Sequence, residues 1–191
     1  QTGKYFKYLS ILNSGEITVV TSSSPTLFMP YDTSLESQIP AEVNLIEIPI
    51  PESKYVNFLI RKINPSFLQK PDSKFMFHWQ WRKAVKQIKK RPQVIYSRAF
   101  PLSSAIMAYR LAIFFKVPWI MHLSDPWVDN PLDSRTPEAQ RTNEKWEIDC
   151  FALAKYVTLT SYKTIQFYKK KYPEWADKFV YMPNVYDPTD I

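Results

Sequence analysis

Ten residues, HLSDPWVDNP at 122–131, place His122, Asp125, Trp127, Asp129 and Asn130 within one short span. They follow the run Val117-Pro118-Trp119-Ile120-Met121, so polar chemistry begins where a buried strand would end. Asp125 is the candidate catalytic residue. A carboxylate at a strand end can accept the proton of an attacking hydroxyl or orient that hydroxyl. Asp ahead of a proline also caps loops by bonding nearby backbone, and both readings stay open. His122 can hold a hydroxyl or a phosphate, or strand alternation can bury it. Trp127 offers a polarisable apolar face on which a sugar ring can stack, or it packs the loop. Asp129 and Asn130 can bond sugar hydroxyls or remain solvated.

A second cluster, Ser97, Arg98, Ser103 and Ser104, lies around the start of an apolar helix. Helix N-termini present free amides and a positive dipole end, which suits a phosphate. Arg98 adds a planar donor. Ordinary serine capping is the alternative. Thr160 and Ser161 repeat the pattern more weakly.

These residues need elements to hold them. The hydrophobic spacing predicts strands at 16–21, 43–49, 93–97, 117–123, 156–160 and 179–182. It predicts helices at 4–12, 55–63, 74 to about 90, 102–116, 137–155 and 164–171, with Asp72 or Ser73 as a cap for the third. Strand and helix alternate, and the strands are nearly continuous apolar runs. That is the pattern of an α/β fold, a Rossmann-like parallel sheet with helices on both faces. Ligands in such sheets sit at the carboxyl ends of the strands, where both clusters fall.

Bulk composition narrows the field. The 191 residues suit one domain, and 45% hydrophobic content supports a real core. Two glycines, Gly3 and Gly15, cannot write a glycine-rich phosphate loop. Cys150 is alone, so it has no internal disulfide, and its apolar surroundings mark it as core. A reducing, cytoplasmic setting is expected, and no run of apolar residues is long enough to span a bilayer. The net charge of +7 favours anionic partners. The segment KFMFHWQWRKAVKQIKKR (74–91) carries Trp81, Ala84, Val85 and Ile88 at helical spacing, with basic residues opposite. It can lie on an anionic membrane surface or pack on the sheet with a solvated basic face. No nucleic-acid motif is present, and no nucleic acid partner is expected.

Four ordered segments resemble one family. QVIYSRAFPLSSAIMAYRLA (93–112), VPWIMHLSDPWVDNP (117–131), EKWEIDCFALAKYVTLTSYKTIQFYKKKYP (144–173) and FVYMPNVYDP (179–188) are similar to the N-terminal domain of family 4-like glycosyltransferases. The resemblance covers the chain's length, and QTGKYFKYLS resembles the first helix of such domains. It implies the N-terminal, acceptor-side half of a GT-B enzyme over 1–184, with an interdomain linker starting at 185–191. The family's first strand and glycine loop would precede Gln1. Residue 185 is Val where the family usually has Gly, and the donor-binding C-terminal domain with its pair of glutamates would follow Ile191. The implied activity is that of a hexosyltransferase, inactive as this chain alone. It would pass a sugar from a nucleotide sugar to a glycan or lipid-linked acceptor hydroxyl in polysaccharide, lipopolysaccharide or glycolipid synthesis. No cofactor and no metal is expected. In that scheme Asp125 is the base or orienter. Ser97 to Ser104 hold acceptor or phosphate, and Trp127 walls the pocket. The expected location is cytoplasmic, with peripheral contact at the inner membrane face. The alternative is a stand-alone module that binds anions or a membrane surface without catalysis.

Overall fold

The computed structural model describes residues 15–22, 39–50, 54–130 and 134–184. The helix expected at 4–12, most of the loop at 22–30 and the linker at 185–191 lie outside them.

Among the described residues six short strands form: β1 (Thr18–Ser22), β2 (Asn44–Ile48), β3 (Ile95–Ala99), β4 (Trp119–Leu123), β5 (Tyr156–Leu159) and β6 (Phe179–Tyr181). The hydrogen-bonded pairs among the described residues are parallel. Among the described residues they make two sheets rather than one. One is β1-β2, and the other runs in the order β3-β4-β5-β6. The helices are α1 (Lys54–Ile63), α2 (Phe75–Trp79), α3 (Trp81–Gln87), α4 (Ser103–Phe115), α5 (Pro137–Leu153) and α6 (Tyr162–Lys171). The fold is thus α/β, with a parallel four-stranded sheet flanked by helices, consistent with a Rossmann-like architecture.

Strand alternation sorts the larger sheet into two faces. Met121, Leu123, Val157, Leu159 and Phe179 point into the main core, where they meet Ala105, Ile106 and Ala112 of α4, Cys150 and Phe151 of α5, and Ile165 and Tyr168 of α6. The expectation of helices on both faces is met on this one among the described residues. On the other face Tyr96, Tyr156 and Val180 keep substantial exposure. A smaller core joins Ile46 and Ile48 of β2 to Phe77, Ala84, Met107 and Leu111. Helix α4 therefore serves both cores, with Met107 and Leu111 turned toward β2 and its alanines toward β3 and β4.

The single helix expected from Lys74 to about Lys90 is two helices. Phe75, Phe77 and His78 are all buried, a spacing that one continuous helix cannot send inward together with Ala84. Gln80 breaks the run at φ −90° and ψ 15°, and its side chain donates to the Pro49 carbonyl at 2.7 Å. The cap expected from Asp72 or Ser73 is not made: Lys74 is the N-cap without a side-chain bond, and the Asp72 carboxylate accepts from the Lys74 amide at 2.8 Å, ahead of the helix. Trp81, Val85 and Ile88 pack on the smaller core, so the apolar stripe of the basic segment faces inward and is not offered to a bilayer.

Helix α5 begins with Thr136, whose hydroxyl accepts from the Ala139 amide, and Pro137 occupies its first turn, where no amide is needed. Helix α4 ends at Lys116 in the left-handed region, φ 52°. Arg91 reaches this end and donates to the Phe115 and Lys116 carbonyls at 2.9 and 3.1 Å, a cation placed against the negative end of the helix dipole.

Candidate functional site

Residues 124–130 leave the carboxyl end of β4 and are anchored almost residue by residue. Thr160 donates its hydroxyl to the Ser124 carbonyl at 2.9 Å. The Trp127 amide donates to the Tyr168 hydroxyl at 2.8 Å, its indole N–H to Asn143 at 2.8 Å, and its carbonyl accepts from Arg135 at 2.8 Å. The Val128 amide donates to Glu147 at 3.2 Å, and Lys171 binds Asp129 at 2.6 Å. Asp125 stands exposed between the anchored Ser124 and Trp127. Asn130 is half-buried at the far end.

Glu147 is the hub of this arrangement. Its buried carboxylate accepts from the Val128 amide, the Tyr168 and Tyr172 hydroxyls at 2.9 and 2.7 Å, and the Lys171 ammonium at 2.7 Å. Burial works against the Lys171 charge, but bonds to Asp129 and Glu147 outweigh it and hold its pKa above the ordinary lysine value. Burial, then the Glu147 charge, push both tyrosine hydroxyls up, so they stay protonated as donors. The sequence reading missed this network. A signal was present: Asn143 and Glu147 continue the buried stripe of Ala139, Cys150 and Phe151 on α5, and buried polar residues in such a stripe imply partners.

Arg98, His122 and Thr158 lie side by side across β3, β4 and β5 in direct register, on the sheet face opposite the main core. His122 is buried, and its Nδ1 lies 2.9 Å from the Thr158 hydroxyl. That hydroxyl also reaches the Met121 carbonyl at 3.4 Å. Donating there, it accepts from Nδ1–H and leaves Nε2 as an acceptor. Nε2 has no hydrogen-bond partner among the described residues. Burial, with help from Arg98, lowers the His122 pKa to about 4, so the ring is neutral at pH 7. Arg98 extends toward Asn184, 3.4 Å away.

Several sequence candidates are corrected by their surroundings. Trp127 is fully buried, so it presents no face to a sugar and instead anchors the loop. Ser97 points into the core, where its hydroxyl accepts from the Trp119 indole at 2.9 Å. The helix N-terminus at Ser103 and Ser104 is already filled. Asp72 accepts from the Ser103 amide at 2.9 Å and from its hydroxyl at 2.6 Å. The amides of Ser104 and Ala105 both donate at 3.0 Å, to the carbonyls of Pro101 and Leu102. The place a phosphate would take holds the protein's own carboxylate. Burial raises the Asp72 pKa, and the Ser103 bonds pull it back. Ser161 is likewise used as the cap of α6, accepting from the Lys163 amide at 3.2 Å.

Among the described residues no group of His, Cys, Asp or Glu is arranged to hold a metal, and no helix is long and apolar enough to cross a membrane. A shallow depression of about 420 Å³ is lined by Arg91 to Gln93 and Lys116 to Pro118. It lies at the amino ends of β3 and β4, away from the clustered polar groups, and the carboxyl-end site is the better candidate. No family model matches the chain, and no curated protein matches it.

Proposed function

We propose that this chain is the acceptor-side domain of a glycosyltransferase of the GT-B type, which passes a sugar from a nucleotide sugar to an acceptor hydroxyl. The observation that carries the reading is Asp125. It is an exposed carboxylate held between two anchored residues at the carboxyl end of a parallel strand, where such sheets keep their ligands. A fixed carboxylate with free access can accept the proton of a hydroxyl as that hydroxyl attacks a sugar carbon. Arg98 supplies positive charge at the same strand end, beside the buried His122, whose Nε2 is closed to solvent. Asp129 and Asn130 edge the same loop. The donor site would belong to a second domain, so this chain binds acceptor and does not turn over by itself.

The test is release of nucleoside diphosphate from a panel of nucleotide sugars by the two-domain protein. Asp125→Ala should lower turnover by about 100-fold or more while leaving thermal unfolding within a degree or so of the parent, since its side chain is exposed. Unchanged turnover removes Asp125 from the chemistry and the reading with it.

A further inference from the structure

Helix α1 is built the wrong way round for a helix that serves a core. An amphipathic helix on a globular protein turns its apolar stripe inward. In α1 the side chains of Tyr55, Phe58, Leu59 and Ile63 are 84, 55, 55 and 83% exposed. Their spacing of three and four residues puts them on one face. Among its described side chains Asn57 and Ile60, on the other side, are half-buried. Lys62 falls within the exposed stripe, its ammonium 4.8 Å from the Phe58 ring centre. Arg61 and Lys62 fill the last turn, and the helix has no acidic residue.

Helix α1 packs on the turn at Phe67–Gln69. Phe67 meets Trp79 edge-to-face at 6.2 Å, and Trp79 is 53% exposed. The outward stripe of aromatic and aliphatic side chains with its embedded basic residues forms one surface, and Trp79 is exposed on a neighbouring helix.

We infer that this surface, the exposed stripe of α1, docks the protein on an anionic lipid bilayer, with α1 lying in the interface plane. The charge pattern selects this occupant. A second copy of the chain would bring Arg61 and Lys62 against their own images, in a protein already at +7. An anionic bilayer offers apolar depth to Phe58, Leu59 and Ile63 and negative headgroups to the cations beside them. Lys62 has a long apolar stem that can lie along the stripe while its ammonium stays at headgroup level.

The surface also sits at the site's end of the molecule. Helix α1 follows the carboxyl end of β2. The turn it packs on is tied to the segment after the Asp125 loop: Gln69 bonds the Thr136 amide at 3.0 Å and its carbonyl accepts from Asn143 at 2.7 Å. If the transferase reading holds, the acceptor class that follows is a lipid-linked one. Bilayer docking itself does not rest on that reading.

The experiment is co-sedimentation of the chain with vesicles of phosphatidylcholine alone or mixed equally with phosphatidylglycerol. Binding is expected to the anionic vesicles only, weakening about 10-fold or more between low and physiological salt. The double variant Phe58→Ser/Leu59→Ser should bind at least about 10-fold more weakly, with an unchanged circular dichroism melt. Lys83→Glu/Lys86→Glu on α3 changes the net charge by as much as Arg61→Glu/Lys62→Glu does, yet should weaken binding far less. Absence of binding at low salt, equal binding to both vesicles, an unaffected Phe58/Leu59 variant, or equal losses for the two charge pairs would each overturn the inference. So would sedimentation velocity showing a dimer that the Phe58/Leu59 variant dissolves.

Discussion

The half of the molecule built on β3–β6 and the half built on β1–β2 treat their side chains in opposite ways. Around β4 and β5 the large residues Trp119, Trp127, Phe151 and Tyr168 are all but fully enclosed, and the polar atoms among them are paired. Glu147 alone takes four donors. Around β2 only Ile46 and Ile48 of the strand are buried, Leu45 is exposed, and α1 turns its apolar stripe to solvent. A loop is held rigid by satisfying every polar group beneath it. An apolar face left open is a surface for something else. The first half can therefore hold the Asp125 loop within a narrow geometry, and the second half leaves an apolar face uncovered among the described residues.

The contrast breaks most visibly at Lys171. Lys171→Met leaves the Glu147 carboxylate buried without its cation and frees Asp129, and about 3–5 kcal/mol of stability should be lost. Leu45→Ser on the other half should change stability by no more than about 0.5 kcal/mol. Urea unfolding midpoints measure both, and equal losses would mean that the two halves do not differ in this way.

Acid sharpens the comparison. His78 and His122 are buried, with pKa values lowered from 6.5 to about 3 and about 4, in each case by burial first and then by a neighbouring arginine, Arg110 or Arg98. The unfolded chain takes up these protons as pH falls below about 6.5, while the folded chain refuses them. The stability they confer is complete above 6.5 and is lost as pH falls, at up to about 1.4 kcal/mol per unit for each ring. The His122 share is exhausted near pH 4 and the His78 share near pH 3. His122→Leu should flatten the decline of melting temperature between pH 6.5 and 4, and an unaltered slope would contradict its neutral burial.

The smallest effect concerns the helix that the two halves share. Lys116 closes α4 at positive φ, which glycine adopts without cost to a Cβ. Lys116→Gly should stabilise the protein by about 0.5–1 kcal/mol, read as a small upward shift of the melting point.

The elements were legible in the sequence because strands and helices announce themselves locally. Trp119–Leu123 and Ile95–Ala99 lie within two residues of their expected bounds, and Pro137 and Ser161 sit where helix starts require them. The helix expected at 74–90 is two helices because its first residues, Phe75, Phe77 and His78, do not keep helical spacing with the rest, and Gln80 resolves that conflict by a break. The site was legible in position more than in detail. Asp125 and His122 stand at the strand end that alternation and chain order gave them. Trp127 and Ser103 were assigned ligands because their true partners, Tyr168, Asn143 and Asp72, are distant in sequence. No local pattern shows that a carboxylate from one segment will occupy the start of a helix in another.

Among the described residues, every hydrogen-bonded strand pair joins strands that follow one another in the chain: β1 with β2, β3 with β4, β4 with β5, β5 with β6. A parallel sheet usually folds slowly, since closing long loops costs entropy before any pairing rewards it. Here each pairing needs only one crossover to close. Both sheets pack on α4, and among the described residues the strand pairings are more local in sequence than in a sheet whose late strands must return to its first.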